Sequence, residues 1–319
     1  MLCRTANELF WMARHIERAE NTARLLDVTY RTSLLPYEPQ SAGLAWAEPW
    51  SVPLITSGLA TTYYQRYPQI TAENVLRFMI LDSANTSSIY SCLRAARESA
   101  RSVRGAITSE MYEDLNSAWL EMRTYDYARI ETGGVSDFLD WVKMRSHLFR
   151  GVTFGTMLRD EAYHFIRLGS HLERADNTAR ILDTKYHILL PSVTDVGGAV
   201  DYYQWMSLLQ SVSGFEAYRK IYSDTITPLR VAELMVLRDD MPRSLHACMN
   251  LINESLERLC DGGNSRELER MAGELHARLH YGRTDEIIDT GLHEYLMDFL
   301  ERVSELGDEV SKVFLVPTY

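Results

Sequence analysis

The chain has 319 residues, 46% of them hydrophobic, and a formal net charge of −11. That length suits two medium domains or one duplicated unit, and the apolar content is enough for substantial cores. The acid excess, with no cluster of Lys and Arg to meet a phosphate backbone, excludes a nucleic-acid partner.

The opening MLCRTANELFW has no apolar run of the signal-peptide type. No segment reaches about 18 uncharged apolar residues, so no membrane span is expected and the cytoplasm is the default location. The first helix is predicted from about Thr5 to Ser33, with Met12, Ile16, Ala19, Ala23, Leu26 and Tyr30 on one apolar face. Ala19 and Ala23 leave room for a close neighbour. Pro36 and Pro39 end it, and the stretch from Glu38 to Pro53 reads as an ordered cover because Trp46 and Trp50 need burial. Helices follow over Leu54–Tyr67, from Thr71 (an N-cap, with Asn74 three residues on) through Val75–Leu81, over Asn85–Thr108, Glu110–Arg129 and Val135–Gly151. The second half is predicted to run Arg159–Leu190, stopped at Pro191, then a Gly-containing loop Thr194–Tyr203. The stretch Ser213–Asp240 matches the first half from Ser57 onward, a helix starts near Pro242 behind Asp239 and Asp240, and Ser265–Tyr281 and Thr284–Ser304 complete the set. Phe314 and Leu315 are the apolar anchors of the tail. No strand is expected.

The chain repeats itself. HIERAENTARLLD at His15–Asp27 returns as HLERADNTARILD at His171–Asp183, with ten of thirteen positions identical at an offset of 156. Thr71 and Thr227, Val75 and Val231, Leu81 and Leu237, Ser88 and Ser244, Cys92 and Cys248, and Glu98 and Glu254 share that offset. The natural architecture is therefore all-α: an internally duplicated helical bundle with a pseudo-twofold arrangement of two halves, 1–155 and 156–319, forming one unit. Cys92 and Cys248 read as small buried hydrophobes, since the four cysteines have no metal or CxxC spacing.

The segment kept in both copies includes a polar face. Glu17, Glu20, Asn21 and Arg24 lie opposite the apolar stripe, and the second copy offers Glu173, Asp176, Asn177 and Arg180. An exposed Glu–Arg pair one turn apart contributes only about 0.3–0.5 kcal/mol, too little to hold a face unchanged twice. Partial burial explains it better, because removing one partner of a buried pair costs about 3–5 kcal/mol. Three readings follow: an internal ion-pair network that holds the halves in register, a pocket in which Arg24 and Arg180 grip carboxylates or phosphates, or a carboxylate-lined catalytic or metal site. Arg18 and Arg174 sit on the flank and are expected to bridge to a neighbouring helix. His15 and His171 lie near the core boundary as hydrogen-bonded structural histidines.

No other pattern names a reaction, so no catalytic residue can be assigned. Glu161 and His164 have the E-x-x-H spacing of di-metal bundles, but the first half holds Thr5 and Glu8 at those places. His276 and His280 lack the glutamate of H-E-x-x-H and read as a chance surface pair, while His147, His246 and His293 are scattered. No metal or cofactor is expected. Nucleotide-binding and hydrolase-elbow motifs are absent.

NELFWMARHIERAENTARLLD at Asn7–Asp27, its echo at Glu161–Asp183, the LD-x-x-N-x-x-S stretch at Leu81–Ser88 and LRDDMPRS at Leu237–Ser244 resemble the Alpha-E family, a bacterial all-helical family with an ER motif. The motif falls on Glu17 and Arg18, and the likeness covers nearly the whole chain. The first half departs from it where Asn85-Thr86 replaces an Asn-Pro-Arg-Ser-like turn. The resemblance implies genomic association with an ATP-grasp-like ligase and a transglutaminase-like peptidase. From it come two expectations: an accessory or scaffold subunit of a peptide- or amide-bond ligase system, or an enzyme or small-ligand or peptide-binding protein with a charged Glu/Arg pocket between the repeats.

Overall fold

Two long helices, α1 (Cys3–Ser33) and α9 (Glu161–His187), carry the two copies of the repeated segment and pack on each other. The computed structural model describes residues 1–34, 49–187, 198–260 and 265–316, and among these the regular structure is all helical, with no strand. The apolar stripe read from the sequence is the inner face of α1: Met12, Ile16, Ala19, Ala23 and Leu26 are all buried, and Tyr30 packs at the edge. Gly169 on α9 marks the closest approach. A Cβ there would stand 2.3 Å from the carbonyl oxygen of Phe10, so only glycine lets the two backbones meet.

Shorter elements surround this pair. In the first half they are α2 (Val52–Thr56), α3 (Ala60–Tyr64), α4 (Ala72–Leu76), α5 (Ile89–Ser102), α6 (Ser109–Met122), α7 (Tyr127–Gly133) and α8 (Val135–Thr156). The second half has α10 (Ala199–Ser211), α11 (Phe215–Tyr222), α12 (Pro228–Ala232), α13 (Leu245–Leu259), α14 (Arg266–His280), α15 (Thr284–Thr290) and α16 (Leu292–Val310). A π-helical turn extends α4 over Arg77–Leu81 and another extends α12 over Glu233–Leu237, 156 residues later. After each turn a serine caps the next helix: Ser88 Oγ accepts from Ser91 N–H, and Ser244 Oγ from Ala247 N–H. α1 packs on α5, α8 and α10, while α9 packs on α13 and α16. One continuous core draws on both halves, and Cys92 and Cys248 are buried in it as small hydrophobes, their thiols pushed up to about 12 by burial.

Several boundaries differ from the sequence expectation, each for a local reason. The helix predicted over Leu54–Tyr67 is two, because Gly58 turns the chain with φ +67°. The helix predicted from Asn85 starts at Ile89. Asn85 instead holds the preceding turn, its Nδ2 donating to the Phe78 carbonyl and its Oδ1 accepting from Ser87 N–H. Pro242 likewise lies in the turn before α13, and Asp240 pairs with Arg238 rather than with a helix end. The segments Glu110–Arg129 and Thr284–Ser304 are each split, the second at Gly291 with φ +94°. The expected loop Thr194–Tyr203 gives way to α10 from Ala199. Trp50 is buried, as the cover reading required. Pro36, Pro39, Trp46, Pro191, Thr194 and the final Pro-Thr-Tyr lie outside the described residues. Phe314 packs edge-on against Phe165 of α9 at 5.5 Å, Leu315 is buried, and the turn that carries both lies against α1 and α16.

Gly169→Ala is expected to lose about 1–3 kcal/mol by forcing α1 and α9 apart, despite alanine's better helix propensity. Urea unfolding of the two proteins side by side measures it, and equal midpoints would show that the crossing is not this tight.

Candidate functional site

The ER residues meet where α1 and α9 cross, and they pair reciprocally. Glu17 on α1 accepts two hydrogen bonds from Arg174 on α9, from Nε at 2.8 Å and Nη2 at 2.9 Å. Glu173 on α9 accepts two from Arg18 on α1, at 2.6 and 2.9 Å. Both are two-pronged guanidinium–carboxylate bridges, the strongest form of such a pair. The flanking arginines therefore do bridge to a neighbouring helix, and that neighbour carries the other copy of the motif. Arg14 adds a further bond to Glu173 at 2.8 Å, with its guanidinium 4.8 Å from the Trp11 ring.

Around the first glutamates the network thickens. Glu20 takes Arg24 Nε at 2.8 Å, one turn along α1. Arg150 from α8 donates to both Glu17, at 3.0 Å, and Glu20. Arg243, from the turn before α13, donates to Glu17 and Glu20 and, at 3.3 Å, to Asn21 Oδ1. Asn21 is thus engaged by Arg243 rather than by Glu17, one turn away on α1. Glu17, Glu20, Asn21 and Arg24 are each no more than 4% exposed. Two carboxylates here face four guanidiniums, from Arg24, Arg150, Arg174 and Arg243. His147 Nε2 stands 3.6 Å from Glu20 and 3.4 Å from Arg24 at the exposed rim.

The second copy is more open. Asp176 and Arg180 pair with each other at 2.8 and 3.0 Å, and Arg180 keeps 38% of its side chain exposed. It borders an open groove of about 460 Å³ with Met297, Asp298, Leu300 and Glu301. Asn177 has a buried Oδ1 without a partner among the described residues. The difference has a local cause: Ser87 occupies, at the 156 offset, the place of Arg243, so no guanidinium arrives from that turn. Arg24 and Arg180 nevertheless act alike in one respect. Arg24 donates to the Ser211 carbonyl ending α10, and Arg180 to the Thr56 carbonyl ending α2, where the helix dipole favours a cation.

The four charges Glu17, Arg24, Glu173 and Arg180 therefore do not converge on one cavity. The ion-pair reading describes the first copy and the crossing, and only Arg180 faces a groove. Arg150 and Arg243 were missed by pattern reading. Arg243 had a signal, its place in LRDDMPRS, whereas Arg150 lies in none of the segments that repeat at the 156 offset. Glu161 is exposed and pairs with the N-terminal amine at 2.8 Å, away from any E-x-x-H site. Elsewhere, the chance pair His276 and His280 is joined by His246, with their ring nitrogens within 4.8 Å of one another.

Burial opposes charge on Glu17, yet Arg174, with Arg243 behind it, holds its carboxyl down to about 2. Burial likewise opposes charge on Glu20 and Glu173, and the arginines around each still keep the carboxyl below the usual range. Arg243 is pushed down to about 10 by burial, against the pull of Glu20 and Glu17. His15 is pushed down to about 4, first by burial and then by Arg18, and His171 also falls well below its ordinary value. The Nδ1 of each imidazole is buried with no partner among the described residues, unlike the hydrogen-bonded histidines expected.

A family model described as "A predicted alpha-helical domain with a conserved ER motif", Alpha-E, matches residues 1–315. An uncharacterized protein of Mycobacterium bovis and one of Mycobacterium tuberculosis are each 24% identical over 337 residues, covering 97% of this chain. The chain spans about a third of the length of these curated relatives, 36%. No solved structure matches it.

Glu17→Gln is expected to cost about 3–5 kcal/mol, because it strands buried guanidiniums. Arg174→Gln costs less, since Arg150 and Arg243 stay on Glu17. The network also sets the acid profile. The unfolded chain protonates this glutamate near 4.5 and the folded chain near 2, so its contribution is complete above pH 4.5 and is lost as pH falls towards 2. His15 acts one window higher: between pH 6.5 and 4 the unfolded chain takes up a proton that the folded chain refuses, so stability falls with falling pH there too. Urea midpoints of wild type and His15→Gln from pH 7 to 3 check both windows. A flat wild-type profile would contradict them.

Proposed function

The chain belongs to the Alpha-E family, and on that premise we propose that it is a non-catalytic accessory or scaffold subunit of a peptide- or amide-bond ligase system, working with an ATP-grasp-like partner and beside a transglutaminase-like peptidase. One observation carries this reading. The ER carboxylates Glu17, Glu20 and Glu173 are buried, ionised and fully engaged by arginines. A carboxylate held so far below neutrality is a poor general base and carries no proton to donate as an acid. The motif acts instead as an internal strut that holds two helices in register.

Reciprocal pairing is what a twofold axis produces, residue i of one copy on residue j of the other and the reverse. On this reading the halves 1–155 and 156–319 descend from one ancestral unit and sit in a pseudo-twofold arrangement. The strut would present α8 to the partner. Its outer face exposes Met144 at 62%, Leu148 at 46% and Phe154 at 66%, beside the exposed Gly151 and Gly155, while its inner face supplies Arg150. The relatives support a shared task as well, since the matched unit is 36% of a longer chain in each. The reading places the protein in the cytoplasm, where ATP is available; no helix among the described residues is long and apolar enough to cross a membrane.

Co-expression with an ATP-grasp-like protein from the same genome tests the proposal. The two are expected to elute together, and Met144→Asp with Leu148→Asp to separate them without loss of helicity. Two folded proteins that never co-elute would overturn it.

A second reading, a charged ligand pocket, is favoured by the arginine surplus: four guanidiniums against Glu17 and Glu20, with Arg150 29% exposed and His147 at the rim. A small carboxylate or phosphate docking there would balance the charge. Calorimetry with inorganic phosphate and with a glutamyl peptide is expected to show saturable binding that Arg150→Gln weakens at least about tenfold, the loss of one strong charge-assisted bond. Absence of heat with both probes removes this reading and leaves the first intact.

A further inference from the structure

His246, His276 and His280 form a cluster that the ER network does not touch. His246 is the second residue of α13, and His276 and His280 lie one turn apart at the C-terminal end of α14. One ring nitrogen from each lies within 4.8 Å of the others. Across a tetrahedral zinc ion, with Zn–N of about 2.0–2.1 Å, such nitrogens stand about 3.3 Å apart, so small side-chain rotations close the set.

The hydrogen bonds around the cluster prepare it for a cation. His246 Nδ1 donates to the Leu237 carbonyl at 2.7 Å, which puts the proton on Nδ1 and the lone pair on Nε2. That Nε2 is buried and has no partner among the described residues. His246 itself is only 5% exposed, so an unsatisfied acceptor there carries a desolvation cost that a metal ion would remove. His276 Nε2 lies 2.7 Å from Asn250 Oδ1; with the amide oxygen accepting, its lone pair is on Nδ1. A backbone carbonyl that fixes the imidazole tautomer is a usual outer partner of metal-bound histidine, and the Asn250 amide oxygen fixes that of His276 in the same way. His280 is exposed and opens the set to solvent.

Packing alone does not demand these histidines. Tyr90 is likewise the second residue of α5 and Trp119 the eleventh of α6, as His276 is of α14, and those two rings simply pack edge-on at 5.0 Å. The same frame is filled by aromatic carbon in one half and by three imidazoles in the other.

We propose that His246, His276 and His280 bind a divalent transition-metal ion of the zinc class, with three imidazole ligands and a fourth position open to water or a substrate oxygen. Imidazole-only ligation with no carboxylate in the set disfavours magnesium and calcium.

The test uses the full chain, stripped with a chelator and titrated with Zn²⁺ by calorimetry, and with Co²⁺ by visible absorption. Binding of about one ion per chain is expected, with the intense absorption of four-coordinate cobalt. The exposed His280→Ala should weaken binding at least about tenfold with unchanged helicity, and Asn250→Ala by about 10- to 100-fold through the outer partner of His276. Magnesium in excess should not compete. No saturable binding, or an affinity unchanged in the His276→Ala and His280→Ala double variant, would overturn the proposal. Neither result depends on whether the ATP-grasp-like protein binds.

Discussion

A charge removed from water has to find its opposite, and α1 and α9 meet under that constraint. Each helix carries a glutamate followed by an arginine, and each glutamate is answered by the arginine of the other helix. The arrangement fixes depth and rotation together. If α9 slid by one turn, both two-pronged bridges would break at once, and each lost partner would leave a buried ion costing several kcal/mol. Gly169 serves the same end by letting the backbones touch at Phe10, so that arginine and glutamate of facing helices reach each other within hydrogen-bond distance. The remaining helices pack around a pair whose register is already set.

The two ends of this crossing are not equivalent. On the Glu17 side, Arg243 and Arg150 close the network from α13's leading turn and from α8. On the Glu173 side, Ser87 stands where an arginine would arrive, and Arg180 is left at an open groove. A comparable divergence separates Tyr90 and Trp119 from His246 and His276. Positions related by the 156-residue offset, or close to it, thus carry different chemistry. The surroundings of Glu17 and Glu20 are closed and rich in arginine, while Arg180 borders a groove and α13 and α14 bring three imidazoles together.

The histidines show how tertiary structure changes what a residue can do. His276 and His280 alone are a surface pair of no consequence. Packing of α13 on α14 brings in His246 from thirty positions earlier, with its lone pair already directed by the Leu237 carbonyl. Nothing in the spacing of those residues along the chain announces the group.

The sequence by itself determined the helical class, the long α1 and α9, the buried stripe of α1 and the shielding of Glu17, Glu20 and Glu173 from water. These are local or periodic properties: a stripe of Met12, Ile16, Ala19 and Ala23 has to be covered, and a charged face kept twice has to be engaged. It misplaced helix ends at Gly58, Asn85, Pro242 and Gly291, because a single turn residue decides those against a propensity spread over many. Only the tertiary structure decided who pairs with whom. Whether Arg18 reaches solvent or Glu173, and whether Arg150 and Arg243 arrive at Glu17 at all, depends on how separate helices are placed in space. That placement comes from the packing of the whole core, which no window along the chain contains.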